Sequence, residues 1–168
     1  MENLWAPWRM EYISKEKEGK SKPCIFCHRI KQKTDRKNLI LYRGKEAFII
    51  MNRYPYNNGH VMVVPYRHTG DITDLHSHEN DELFQIIRLT IHALDEVMKP
   101  HGYNIGMNLG RVAGAGIEDH LHYHVVPRWN GDTNFMPVLT DTKVISEALD
   151  KSYRKLVKVL KKISSKIK

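Results

Sequence analysis

The stretch that decides the fold is His120-Leu121-His122-Tyr123-His124-Val125-Val126-Pro127. Its period of two sends His120, His122 and His124 to one face of an extended strand and Leu121, Tyr123 and Val125 to the other. Three imidazoles then share a surface. Same-face residues stand roughly 6.5–7 Å apart along a strand, so three rings can divide labour around a small ligand but cannot easily chelate one ion together. Pro127 has no amide hydrogen and is expected to end the ladder. Three of the ten histidines in register point to a reaction centre rather than to a wet strand face.

Working outward, residues 110–116 form a loop whose Gly110, Gly114 and Gly116 leave backbone N–H groups open to phosphate oxygens. Residues 103–109 read as a strand. Upstream, residues 79–99 place Leu83, Ile87, Ile91, Leu94 and Met98 at helical spacing before Pro100. Residues 39–42, 47–52 and 60–64 read as strands, the last stopped by Pro65, with turn chemistry at 54–59. The strand of histidines is the fifth. A second helix is expected over 141–167, with Ile145, Leu149, Tyr153, Leu156, Leu160 and Ile163 on one stripe. The fold class is therefore α+β, an antiparallel sheet with a covering helix and a basic C-terminal helix.

The 168 residues fit one domain, divided into an N-terminal segment 1–38, a catalytic core 39–140 and the basic helix 141–168. Trp5, Trp8, Met10 and Tyr12 around Pro7 are expected to pack on the body or on a partner chain. No stretch reaches the roughly 18 apolar residues of a membrane helix, and the first residues lack signal-peptide character, which indicates a cytoplasmic protein. The net charge of +8 is uneven: residues 38–140 carry a net −3, while 15–37 and 141–168 carry +6 each. A bound anion is thus held mainly by histidines, amides, backbone N–H groups and a few arginines. The basic ends read as solvated faces, with nucleic-acid binding the less favoured alternative.

A neutral imidazole is a good nucleophile toward phosphorus when its second nitrogen is fixed by an acceptor. His122, flanked by a histidine on each side, is the candidate, and its neighbours can orient it or donate to phosphate oxygens. Both cysteines lie in Cys24-Ile25-Phe26-Cys27. That pair is half of a closed Cys₂His₂ zinc site, with a redox pair and two buried thiols as the competing readings. A catalytic zinc held by two triad histidines is the rival mechanism; it needs a third ligand and an open position, whereas the CxxC pair offers two thiolates without an obvious vacancy.

The run His120-Leu121-His122-Tyr123-His124-Val125-Val126 resembles the signature of the histidine-triad (HIT) family, in which three histidines alternate with apolar residues. The resemblance extends to Asn52 and to Gly59-His60-Val61-Met62-Val63-Val64-Pro65-Tyr66-Arg67-His68, and covers roughly residues 4–140. Trp5 to Ile13, Ala115 to His120 and Asn134-Phe135 look most like the prokaryotic diadenosine tetraphosphate phosphorylase branch. The resemblance implies a five-stranded antiparallel sheet, a homodimer, a nucleotide substrate and cleavage of a dinucleoside polyphosphate through a nucleotidyl-histidine. In that scheme His122 attacks the α-phosphate, His124 contacts phosphate and leaving group, and His60 and His120 support them. Asn52, Asn108, Gly114 and Gly116 would bind substrate, and Cys24, Cys27, His68 and His120 would hold zinc. Two departures stand out. His124 replaces the glutamine of the transferase branch, and Gly114-Ala115-Gly116 replaces the Gln-Ser loop of the hydrolase and phosphoramidase branches. A purine nucleoside phosphoramidase is the nearest alternative, and a non-catalytic nucleotide or nucleic-acid binding module is the alternative from another class.

Overall fold

A computed structural model describes residues 23–132 and 147–165. Two short helices open it, α1 (Ile25–Lys31) and α2 (Asp35–Asn38), followed by β1 (Ile40–Arg43), β2 (Ala47–Met51) and β3 (Val61–Pro65). The long helix α3 (Ser77–Met98) leads to β4 (Gly102–Gly106) and β5 (Tyr123–Arg128), and α4 (Leu149–Ser164) closes the chain. The strands form one antiparallel sheet in the order β1-β2-β3-β5-β4. The expected α+β architecture and strand count hold.

The core lies where the sequence has its densest apolar runs. Every residue of β2 and β3 is buried, as in strands covered on both faces. Helix α3 packs across β2, β3 and β5 through Leu83, Ile87 and Leu94, and α4 packs on α3 and β1 through Tyr153, Leu156 and Leu160. Each such side chain contributes roughly 1.5–3 kcal/mol by leaving water. The Tyr153 hydroxyl donates to the Ile40 carbonyl at 3.1 Å and pins α4 to β1.

Several boundaries differ from expectation for identifiable reasons. Pro127 does not end β5, which runs on to Arg128 paired only with β4. Pairing with β3 stops at Val125, so the missing amide of Pro127 falls where β5 has a single neighbour. The strand begins at Tyr123, where its pairing with β3 starts opposite Val63, although β3 itself runs on to Pro65 paired with β2. His120, Leu121 and His122 therefore precede the strand, tied by the Leu121 amide to the Thr69 carbonyl at 2.8 Å. The last helix starts at Leu149 rather than 141; residues 141–146, Ile145 among them, lie outside the described residues, as do 1–22 with the aromatic cluster at Trp5 and Trp8. The run 31–38, read as solvated, holds α2 and the buried Asn38, whose amide donates to the Gln32 side chain at 2.9 Å.

Candidate active site and adjoining metal cluster

A tight turn at Gly59, whose φ of +71° favours glycine, delivers His60 into the core with no exposed surface. His60 sits beside β5 and contacts His124. The hydrogen-bonding state of each ring follows from the backbone groups that end the network. The Tyr56 amide donates to His60 Nδ1 at 3.0 Å, so that nitrogen carries no proton. His60 Nε2–H then donates to His124 Nδ1 at 2.9 Å, and the proton of His124 resides on Nε2. Tyr56 also stacks on His60, with centroids 4.8 Å apart and planes at 16°.

His122 has the opposite tautomer. Its Nδ1–H donates to the His120 carbonyl at 2.9 Å, which places the lone pair on Nε2. The rings of His122 and His124 lie 4.9 Å apart at 75°. One ring thus offers a nucleophilic nitrogen beside another that offers a proton donor.

Both rings line a cavity of about 260 Å³. Gly114 and Gly116 also line it, and Phe26, Met62 and Ile117 give it apolar walls. Asn52 contributes a polar group, and Arg29 and Arg53 bring positive charge. Asn108, an expected substrate contact, is not among the lining residues; its amide donates to the Gly114 carbonyl at 3.3 Å and braces the glycine loop instead. Sequence reasoning missed α1 as a cavity wall. Ile25 and Arg29, and Phe26 and Ile30, recur at four-residue spacing after Pro23, a one-turn helical signal that was available but short.

The third triad ring faces elsewhere. His120 is 1% exposed and turns its Nδ1 to Cys24 Sγ at 3.3 Å, Cys27 Sγ at 3.6 Å and His68 Nδ1 at 3.1 Å. Cys27 Sγ and His68 Nδ1 are 3.5 Å apart, and all four ligand atoms lie within 4.8 Å of one another. The single shared face expected of His120, His122 and His124 is therefore split, with His122 and His124 on the cavity and His120 on this cluster.

The donor set fits a divalent metal. Tetrahedral Zn–N and Zn–S bonds set ligand atoms about 3.3–3.8 Å apart, and the His120–Cys24, His120–Cys27, His68–Cys27 and His68–His120 separations of 3.1–3.6 Å lie close to that range. His120 Nε2–H donates to the Pro65 carbonyl at 2.9 Å, the usual outer hydrogen bond of a metal-bound histidine, and frees Nδ1 as the ligand. Burial and the adjacent Cys24 push the Cys27 thiol up, so that thiol ionises poorly without a cation beside it.

Desolvation holds the His120 ring below its ordinary 6.5, at about 4, hence neutral and competent as a ligand at neutral pH. Between these values the unfolded chain binds more protons than the folded one. The stability of metal-free protein is therefore expected to be full above about 6.5 and to be lost as pH falls toward about 4. Urea midpoints of chelator-treated protein across this window check the slope, which His120→Gln flattens.

Comparison with known proteins agrees with this geometry. The HIT domain model matches residues 33–131. An AP-4-A phosphorylase of Mycobacterium tuberculosis is 39% identical over 161 residues, covering 93% of this chain and 83% of the relative. The chain belongs to the HIT family. A bis(5'-nucleosyl)-tetraphosphatase (asymmetrical) of Schizosaccharomyces pombe is 32% identical over 55% of this chain and 50% of its own. A Zn-bound histidine triad family protein of Mycobacterium smegmatis superposes on this HIT protein with a TM-score of 0.67 at 27% identity, covering 84% of this chain and 96% of that one.

Proposed function

We propose that this HIT protein cleaves dinucleoside polyphosphates such as diadenosine tetraphosphate by way of a nucleotidyl-His122 intermediate. The observation that carries the proposal is the pair of opposite tautomers on His122 and His124, each fixed by a chain of bonds that ends on a backbone group. His122 Nε2 attacks the α-phosphorus and forms an N–P bond while the P–O bond to the leaving nucleoside triphosphate breaks. The departing oxygen keeps the electron pair. His124 Nε2–H donates to phosphate oxygen as charge gathers there. The glycine loop, expected to offer open N–H groups, instead spends the Gly114 and Ala115 amides on the Arg111 and Gly110 carbonyls at 3.0 and 3.2 Å, so it shapes the cavity rather than supplying those donors. A second acceptor then takes the nucleotidyl group from His122.

The cavity supports a split of the substrate. At about 260 Å³ it falls just below the ~300–1,000 Å³ typical of sites for drug-sized ligands, so it takes one nucleoside monophosphate half and leaves the rest outside. Asn52, which lines the cavity, is assigned to a ribose hydroxyl. Phosphorolysis is favoured by the likeness to the mycobacterial AP-4-A phosphorylase. Incubation of diadenosine tetraphosphate with and without orthophosphate tests it. ATP and ADP formed only with orthophosphate support phosphorolysis, ATP and AMP formed with water alone indicate hydrolysis, and no cleavage contradicts the reading.

His60 is assigned to hold the His124 tautomer. His60→Ala is expected to lower kcat by about 10²-fold with a smaller change in KM, since donation in the transition state is lost more than ground-state binding. Steady-state kinetics beside a thermal melt separate this effect from unfolding.

The Cys24, Cys27, His68 and His120 cluster is assigned to structural zinc, in keeping with the Zn-bound mycobacterial relative. All four positions are filled by protein ligands, which favours a closed site over the catalytic-zinc alternative. Reduced thiols in such a site fit a reducing compartment and a cytoplasmic protein. Strand β4 is an edge whose Asn104, Ile105 and Gly106 are exposed, and Ile105 and Leu109 stay 45% and 46% accessible. We assign that edge to a homodimer that continues the sheet; Ile105→Lys is expected to yield monomer in sedimentation equilibrium. The basic face of α4 favours no polynucleotide. Lys151 and Lys155 pair with Glu147, Arg154 with Asp150 and Lys162 with Glu96. No helix among the described residues is long and apolar enough to cross a membrane.

A further inference from the structure

Helix α1 joins the metal cluster to the nucleotide cavity. Cys24 sits at its N-terminus and Cys27 in its first turn, while Ile25, Phe26 and Arg29 of the same helix line the cavity. Phe26 is fully buried with its ring centroid 5.3 Å from both His120 and His122. Seven residues do not sustain a helix alone, so the placement of α1 rests on its tertiary anchors. Those anchors include the Phe26 ring, the Arg43 guanidinium on the Ile30 carbonyl at 3.0 Å, the Asn38 amide on the Arg29 carbonyl at 3.3 Å, and the two thiols beside His68 and His120. Both cysteines are only partly buried and His68 is exposed, so small solutes reach the cluster.

We propose that Cys24 and Cys27 form an oxidation site for hydroperoxides that controls nucleotide binding. The idea rests on the metal and nucleotide readings above. One thiolate attacks the peroxide, forming an S–O bond and breaking O–O, and the departing oxygen takes a proton from water. The second thiolate attacks the resulting sulfenic acid, forming S–S and expelling hydroxide. The two sulfurs together lose two electrons, which reduce the peroxide. Two neutral imidazoles remain in the cluster, too few to retain the cation, and α1 loses its tie to His68 and His120 at the N-terminal end that lines the cavity. The coupling is reciprocal, so bound nucleotide holds α1 in place and slows metal loss.

The test uses the full chain loaded with zinc and treated with hydrogen peroxide. Metal release is followed with a chromogenic chelator, thiols by titration and AMP affinity by calorimetry. Both thiols are expected to disappear for each zinc released, and AMP affinity to fall about tenfold or more. Dithiothreitol with added zinc restores both, and saturating AMP slows the release. The same loss of affinity is expected in His122→Gly, since binding rather than turnover is read. Unchanged AMP affinity after complete zinc and thiol loss overturns the switch alone. Failure of the reduced, zinc-loaded chain to bind AMP overturns the nucleotide reading and the switch together.

Discussion

His122→Gly abolishes cleavage of diadenosine tetraphosphate, by about 10⁴-fold or more in kcat, while AMP still binds. The magnitude follows from the role. Among the described residues, no other nitrogen in the cavity combines a lone pair on Nε2 with a carbonyl that holds the far side of the ring, as the His120 carbonyl holds His122 Nδ1–H. His124 cannot substitute, because His60 donates to its Nδ1 and leaves Nε2 carrying the proton. Glycine removes the ring without adding bulk, and the cavity walls Phe26 and Met62 remain to bind the nucleoside. Calorimetry with AMP beside steady-state kinetics separates the two effects. Turnover within tenfold of wild type would exclude His122 as nucleophile.

The second large effect is on stability. A metal present at about a thousand times its dissociation constant stabilises the folded chain by about 4 kcal/mol. For a domain of this size that corresponds to about 10 °C or more in Tm. Cys27→Ser, or chelation of the wild type, is expected to lower Tm by that amount, measured by scanning calorimetry with metal content determined on the same sample. His122→Gly leaves the metal-dependent part of Tm intact, because His122 contributes no ligand to the cluster. The contrast assigns stability to His120 and turnover to His122, two residues apart in sequence. Their link is the backbone carbonyl of His120, which faces His122 while its ring faces the thiols.

Much of this was legible in the sequence, for reasons that vary by element. The apolar runs of β2 and β3 and the three-and-four spacing of α3 identify themselves because burial demands them. The alternation of histidines places His122 and His124 side by side as expected. It misplaces His120, because periodicity assumes a ladder partner through the whole run, and the pairing with β3 begins only at Tyr123. Pro127 misleads for the same reason, since its missing amide matters only where a second neighbour strand exists. The contribution of α1 was hidden by its charge. Arg29 belongs to a basic segment that reads as solvated, and only the tertiary position of Phe26 against two histidine rings shows which face turns inward. Tautomers are invisible to sequence altogether; the amide of Tyr56 and the carbonyls of His120 and Pro65 fix them through folded geometry.

The central claim is tested most directly by trapping the intermediate. Protein mixed with diadenosine tetraphosphate, quenched within one turnover and digested, is expected to yield an adenylyl group on the peptide carrying His122, labile in acid and absent from His122→Gly. Full turnover with no adduct at any quench time, or an adduct on another residue, would contradict it.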